Sequence, residues 1–485
     1  MQQKETNQYQ TIIDALINHD FIQAEKLSIE LIKTNPLDAQ VWLYLAEAIA
    51  FQGYGQTAEK IFQRAWLLDP QAAWIEQAKV DLKQEDLGKT RKDIENLLMV
   101  KNVTVSAAII VKDEEKHISN CLKNLVPAVD EIIIVDTGCI DNTIKIAGTF
   151  PNVKIIKFDW CDDFSAARNA ALPYIKSDWV IWIDADEYLY EEDIENIKIV
   201  AAIYDQVKKP ILLRIGQMNK TNDNQIIGNY DMNRMFSLKY PFRFYSRIHE
   251  QIRLKGQNMY QCTELSKSVG IRVYHAGYTK SSLNEKDKLS RNIKLLGMMI
   301  EEEPENPAWL FFYGRELCTI GRIEEGITAL LNCEEMVKEY PTFGRILDIH
   351  RILVKAYLAR QDIDKAEEVC LRSMEIRKDF PDILYSYARI KLIKADKLLK
   401  EAEKYSVKSM DSFIKYRSIV SPDESIRNWK GNLLLSDIAL YQGRIARAVE
   451  GYENTLKVCP CSIKNSIKNK LSSIENEIKV SKKSV

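Results

Sequence analysis

Residues Trp179 to Glu187 read WVIWIDADE, and this stretch decides the fold. Its first part, Trp179 to Ile183, is apolar at every position. A strand with no polar face must be covered on both sides, as in a sheet sandwiched by helices. The second part delivers Asp184 and Asp186 to the strand's C-terminal tip. Strand side chains alternate, so the two carboxylates point to the same side. Like charges that close raise each other's pKa unless a cation sits between them. Mg²⁺ and Mn²⁺ take oxygen ligands and keep positions open for substrate phosphates. The Asp-x-Asp pair therefore suggests a metal–diphosphate site and a nucleotide-sugar enzyme. For the pair by itself, the alternative is an acidic loop after a buried strand.

Working outward, the same texture repeats. Val105 to Val111, Glu131 to Val135 and Val153 to Phe158 are short apolar runs. Between and after them lie amphipathic segments, Glu115 to Val126, Asp141 to Phe150 and Phe164 to Ile175. Strands alternating with helices predict a parallel α/β sheet, whose ligands bind beyond the carboxyl ends of the strands. Lys112-Asp113-Glu114, Asp136-Thr137-Gly138 and Asp184-Ala185-Asp186 all fall at such ends. No Gly-x-Gly-x-x-Gly or P-loop occurs, which argues against dinucleotide or ATP binding.

Both ends of the chain are repetitive. Ala24-Glu25-Lys26 recurs as Ala58-Glu59-Lys60, and Pro36 as Pro70, each after 34 residues, the tetratricopeptide period. Pro307 and Pro341 are again 34 apart, and Gly321-Arg322-Ile323 reappears as Gly443-Arg444-Ile445, with Asp362 to Ala366 filling the same turn between them. Irregular spacing of the later copies predicts some longer helices. The expected organisation is repeats over 1–80, a connecting helix over 81–103, the α/β domain over 104–282, repeat-like helices over 283–478 and a tail over 479–485. Such helix pairs stack into a solenoid, which serves either packing and homodimerisation or the gripping of an extended acceptor.

Composition excludes other classes. Lys plus Arg number 68 and Asp plus Glu 69 in 485 residues, so charge makes no case for nucleic acid or an anionic membrane as partner. No apolar run reaches the roughly 20 residues of a membrane span. The polar N-terminus MQQKETNQYQ has no signal-peptide core, and the nine scattered cysteines carry no Cys-x-x-Cys pair, not even Cys459 and Cys461. These features point to a soluble, cytoplasmic protein.

VKDEEKHISNCLKNL, EIIIVDTGCIDNT and DWVIWIDADE resemble the successive motifs of GT-A inverting glycosyltransferases of family two. WCDDFSAARNAAL, RIHEQI and VYHAGY resemble the subgroup fused to tetratricopeptide repeats, which includes glycocin (sublancin-type) peptide S-glycosyltransferases. The match covers roughly Ser106 to Tyr278. The resemblance implies a three-layer, Rossmann-like αβα catalytic domain, a UDP-sugar donor such as UDP-glucose or UDP-GlcNAc, and Mg²⁺ or Mn²⁺. Asp136 matches the position that hydrogen-bonds uracil. Main-chain groups near Val111, with Asp113 and Glu114, would line the nucleoside pocket. Arg168 would reach the diphosphate or ribose, unless it forms a surface ion pair with Asp162 or Asp163. Asp184 would touch the ribose or a metal-bound water, while Asp186 would ligate the metal.

Two of the five histidines, His249 and His275, close this domain. Several GT-A enzymes draw a further metal ligand from this late position, which makes His275 the candidate; the alternative for it and for His249 is a hydrogen-bonded core histidine. Glu250 is the candidate general base for an inverting transfer, unless Arg247 holds it in an ion pair. Arg234 and Arg243 read as edge-strand or loop residues that contact phosphate or acceptor, or simply solvate the surface. His117 and His350 show no partner in the sequence, and Asp223-Asn224 marks a turn. The expected activity is sugar transfer to a peptide or protein, by Cys S- or Ser/Thr O-glycosylation of a bacteriocin-type peptide. The alternatives are a cell-surface glycan or lipid-linked acceptor, and an inactive repeat scaffold.

Overall fold

Strand β1 (Val105–Val111) buries all but one of its side chains, and β4 (Trp179–Trp182) buries every one. Between them in sequence come β2 (Glu131–Asp136) and β3 (Val153–Lys157). In this computed structural model the described residues are 2–84, 88–220, 225–256, 265–275, 282–340 and 343–481. The turn expected at Asp223-Asn224, the end of the VYHAGY motif at 276–278, Pro341 and tail residues 482–485 lie outside them. The chain forms two compact units, Met1–Pro304 and Glu305–Val485.

The sheet of the first unit begins in the order β3-β2-β1-β4, all parallel, as expected. Beyond β4 it becomes mixed. Strand β8 (Asn233–Ser237) runs antiparallel to β4 and to β6 (Ile211–Lys220). Next come β11 (Leu265–His275), parallel to β6, and β5 (Glu187–Leu189), antiparallel to β11. Strand β7 (Ile226–Asn229) pairs with β6, while β9 (Phe242–Tyr245) and β10 (Gln251–Leu254) form a separate antiparallel pair. Parallel pairing needs a long crossover, and the helix Asn196–Tyr204 is the last of the unit's crossover helices before β6. After it, the short connections from β6 through β7 to β8 return the chain antiparallel.

Register places the site. Val111 pairs with Asp136, and Ala108 with Trp182, so the tips of β1, β2 and β4 share one edge. His275 pairs with Glu187, which brings the end of β11 beside the Asp-x-Asp turn.

Four N-terminal helices, Gln2–Ile17, Phe21–Thr34, Ala39–Phe51 and Gly55–Leu68, form the first repeats. Ala24 and Ala58 are fully buried, as small residues must be where helices approach closely. These helices do not stand apart from the sheet. Ile61, Trp66 and Leu67 share one apolar core with Val269, Ile271 and Val273 of β11. Arg91 clamps Glu25 through both terminal nitrogens at 2.9 Å. The stretch expected as a connecting helix is helical up to Gln84 and again over Lys92–Glu95.

The second unit is helical. Its pairs include Pro307–Thr319 with Ile323–Val337, Ile346–Ala359 with Ile363–Ile376, and Gly431–Tyr441 with Ile445–Val458. Each pair turns through a residue of positive φ: Gly321 at 87°, Gln361 at 62° and Gly443 at 71°. The repeated Gly-Arg-Ile is thus a left-handed turn, for which glycine carries no Cβ penalty. Longer helices were expected here, and Pro381–Ser412 runs for 32 residues. His350 is buried in this unit, 3.0 Å from Glu334 Oε1, so its part is a buried hydrogen bond to that carboxylate. No helix among the described residues is long and apolar enough to cross a membrane.

Candidate active site

The tip of β1 and the loop after β2 are clipped together. Ile140 N–H donates to Asp113 Oδ1 at 2.7 Å, Glu115 N–H to Asp141 at 3.1 Å, and Glu114 N–H to Thr143 Oγ1 at 2.7 Å. Asp113 holds φ at 55° to make this turn. Asp113, Cys139 and Asp141 bring their ligand-type atoms within 4.8 Å of one another. The carboxylates of that group are already used by backbone amides, as loop clips are. The carbonyl of Val111 accepts from Thr137 Oγ1 at 2.8 Å and so faces the loop. Asp136 is buried, and its Oδ1 accepts from the amides of Gly138 (3.0 Å) and Cys139 (2.8 Å). Burial pushes its carboxyl up, but those two amides hold it below the usual range.

The two carboxylates of the Asp-x-Asp turn meet different partners. Asp184 accepts from Arg234 Nη2 at 2.7 Å and from Arg168 Nη2 at 3.2 Å. Burial opposes its charge, yet the two guanidinium groups win and hold the carboxyl far below its ordinary value. Asp186 faces His275, Oδ2 to Nε2, at 3.2 Å. On the other side of that ring, Nδ1 lies 3.0 Å from Asn219 Oδ1. A proton on Nδ1 satisfies Asn219 and leaves a lone pair on Nε2. Two lone-pair atoms then confront each other, which a proton or a cation between them resolves. Consistent with this, the hydrogen bond to Asp186 raises the His275 pKa, against burial. One carboxylate and one imidazole are a donor set that Mn²⁺ accepts more readily than Mg²⁺, which prefers oxygen, and that leaves coordination positions for diphosphate oxygens. Nearby, burial first and the charge of Asp186 second push Glu114 up to about 7.

Arg168 sits in the helix Phe164–Ala171, whose N-cap is Asp163. It pairs with neither Asp162 nor Asp163. Its Nε–H donates to Glu250 Oε1 at 2.9 Å, and its guanidinium lies over Trp182 (5.1 Å) and Phe244 (5.5 Å). Glu250 reaches it because Ser165 Oγ donates to Ser246 O at 2.6 Å and Phe164 N–H to Arg247 O at 2.9 Å, tying the RIHE turn to this helix. Positive φ at Ser246 (82°) and His249 (53°) makes that turn. Arg247, the alternative partner of Glu250, instead donates to Glu302 Oε1 at 2.8 Å.

Arg234 overturns its expected setting. It lies on β8, an interior strand between β4 and β6, and its side chain is 5% exposed. It also reaches Glu187 Oε1 at 3.2 Å, where Gln217 Nε2 donates at 2.6 Å. Glu187, Gln217 and Asn219 were not singled out from the sequence. A signal was present: Glu187 ends the WVIWIDADE run, and Arg234 is a lone charge before the buried Met235 and Phe236. Arg243 donates to the carbonyl of Phe242 at 2.7 Å. His117 Nδ1 lies 2.6 Å from Tyr188 Oη, so it too has a partner.

Residues 106–248 match the model of Glycosyl transferase family 2. SPbeta prophage-derived glycosyltransferase SunS of Bacillus subtilis (strain 168) is 30% identical over 340 residues, covering 67% of this chain and 78% of that one. A TPR repeat-containing protein of Synechococcus elongatus is 29% identical over 205 residues, 42% of this chain and 49% of its own. Among solved structures, S. aureus TarS is similar at 15% identity and a TM-score of 0.33, over 55% of this chain and 54% of that one. With strand tips, paired acidic turn and flanking repeats arranged as described, the chain belongs to glycosyl transferase family 2 and is a glycosyltransferase fused to tetratricopeptide-type repeats.

Proposed function

We propose that this glycosyltransferase moves a hexose or N-acetylhexosamine from a UDP-sugar to a peptide or protein acceptor, inverting the anomeric carbon. The observation that carries the reading is the facing pair Asp186–His275 beside the Arg168–Glu250 pair, at the shared edge of β1, β2 and β4. Asp186 and His275 would hold Mg²⁺ or Mn²⁺, which when bound offsets the negative charge of a departing diphosphate. Asp136 accepts the uracil N–H through the oxygen not held by Gly138 and Cys139, and Asp113 and Glu114 border the nucleoside. Glu250 Oε1 is taken by Arg168, so Oε2 receives the acceptor proton on the face opposite UDP. A cysteine acceptor needs this base less, because part of a thiol is already thiolate near neutral pH.

Support for a polypeptide acceptor comes from the helix pairs of both units, which suit extended chains, and from the similarity to SunS over two thirds of the chain. The test incubates the full chain with UDP-glucose or UDP-GlcNAc, Mn²⁺ and a Cys- or Ser-containing peptide, and reads peptide mass. A hexose or HexNAc mass increment, lost in Asp186→Ala, is the expected result. UDP release without any peptide adduct across a panel of such peptides would remove the polypeptide acceptor; no release from any UDP-sugar would remove the donor. Deleting the N-terminal repeats is no substitute for point variants, since it would strip β11 of its core partners.

A further inference from the structure

Asp184 heads the acidic turn, yet both its oxygens are spent on arginines. Arg234 Nη2 takes Oδ2 and Arg168 Nη2 takes Oδ1. Arg168 then passes its Nε–H to Glu250, giving an unbroken chain Glu187–Arg234–Asp184–Arg168–Glu250. The inner end is rigid. Glu187 is 1% and Arg234 5% exposed by side chain, and Glu187 Oε2 also accepts from the backbone N–H of Asp184. The outer end is restrained by Trp182 and Phe244 against the Arg168 plane. Charges alternate along the chain, so each link is a charge-assisted hydrogen bond that fixes the next.

We propose that Arg234 is a positioning residue for acceptor activation: through Asp184 and Arg168 it sets the place of Glu250, and Asp184 serves this relay instead of ligating metal. The inference rests on the reading of Glu250 as base. Three features argue for it over a purely structural ion pair. The chain ends on Glu250, of which only Oε1 takes the Arg168 Nε–H, so that Oε2 remains the oxygen assigned to the acceptor proton. Arg168 makes no contact with Asp162 or Asp163, which lie on its own helix N-terminus and would be its partners were it there to stabilise the helix. Arg234 holds the Glu187 and Asp184 carboxylates together, and its removal leaves both uncompensated, which frees Asp184 and with it the Arg168 that Asp184 anchors.

The experiment is a double-mutant cycle of Arg234→Met with Glu250→Gln in the full chain. It is read by kcat and KM for peptide transfer, and by UDP binding. A base misplaced by about 1 Å loses on the order of 100-fold in rate. Arg234→Met is expected to lower kcat about 100-fold with UDP affinity within about threefold of wild type. In the Glu250→Gln background the same change should cost no further rate, because both act through one group. Losses that multiply, or a fall in UDP affinity matching the fall in kcat, would overturn the proposal. If Arg234→Met does not fold, the charge-balanced pair Arg234→Met/Glu187→Leu replaces it in the same cycle. A wild-type chain that neither hydrolyses UDP-sugar nor glycosylates peptide would sink the functional reading itself. Active wild type with multiplying losses would sink only the relay.

Discussion

Adding one methyl group at Gly270 tests whether the repeats and the catalytic sheet share a core. A Cβ there would lie 2.8 Å from both Cε3 and Cζ3 of Trp66 and 3.0 Å from the backbone Cα of Leu67. Neither neighbour can withdraw easily. Trp66 is 7% exposed and stacked on the Arg272 guanidinium at 5.0 Å, and Leu67 belongs to a buried helix. The strand is equally held: Val269 and Ile271 are fully buried, and the Gly270 carbonyl accepts from Asn196 Nδ2 at 3.3 Å. The β11–β6 register shifts between Ser268 and Arg272, a bulge that turns this glycine towards the helix. Overpacking of this kind costs about 1–3 kcal/mol. For a unit of this size that is a fall in Tm of about 2–6 °C. Thermal unfolding of Gly270→Ala, Trp66→Ala and the double variant provides the measurement. Trp66→Ala alone should cost more, about 3–5 kcal/mol, and should abolish the penalty of Gly270→Ala by opening the space. A Gly270→Ala chain as stable as wild type, or one whose loss persists undiminished beside Trp66→Ala, would refute the shared core.

Asn219→Ala removes the partner that orients His275, so the Mn²⁺ concentration for half-maximal UDP-sugar hydrolysis should rise about 10–100-fold; an unchanged metal titration would count against the Asp186–His275 pair as ligands. Asp136→Asn should weaken UDP binding about 10–100-fold in calorimetry, as losing a charged acceptor does, with peptide binding unaffected. In the second unit, burial pushes Glu334 up, but its pairing with His350 and Arg372 holds it down at about 2, below the ordinary 4.5. A depressed carboxyl contributes stability that is complete above about 4.5 and is lost as pH falls towards 2. Discounted for partial exposure, the contribution is about 1–2 kcal/mol. Urea unfolding at pH 6 and pH 3 should show wild type losing about half of this increment while Glu334→Gln, already lacking it at pH 6, changes less. Equal losses in both would refute the assignment.

Much of the candidate site was legible because its residues sit at strand ends. Asp113, Asp136, Asp184 and Asp186 each follow an apolar run whose length marks a buried strand, and a parallel sheet gathers such ends on one edge. The repeats were legible from their 34-residue period, and the Gly-Arg-Ile copies mark turns that need positive φ. The partners of those residues were less accessible. Arg168 lies 82 residues from Glu250, and Arg234 lies 50 from Asp184. Sequence offered nearer partners, Asp162 and Asp163 for Arg168 and Arg247 for Glu250, and the fold chose none of them. Arg234 was read as an edge-strand or loop cation, one that contacts phosphate or acceptor or simply solvates the surface. Its strand is interior only because β8 inserts between β4 and β6.

By itself, then, the amino-acid order determined what is local: which runs must be buried, where each strand stops, how often a helix pair recurs, and that two carboxylates end a central strand. Periodicity and alternation are properties of neighbouring residues, so they survive in one dimension. Tertiary structure alone decided which charge meets which. It gave Asp184 to two arginines and Asp186 to His275, although the two aspartates stand only two residues apart. It also merged the first repeats with the sheet through Trp66 and β11. Such pairings depend on strand order and register, which bring together side chains far apart in the chain and are settled by the packing of the whole unit.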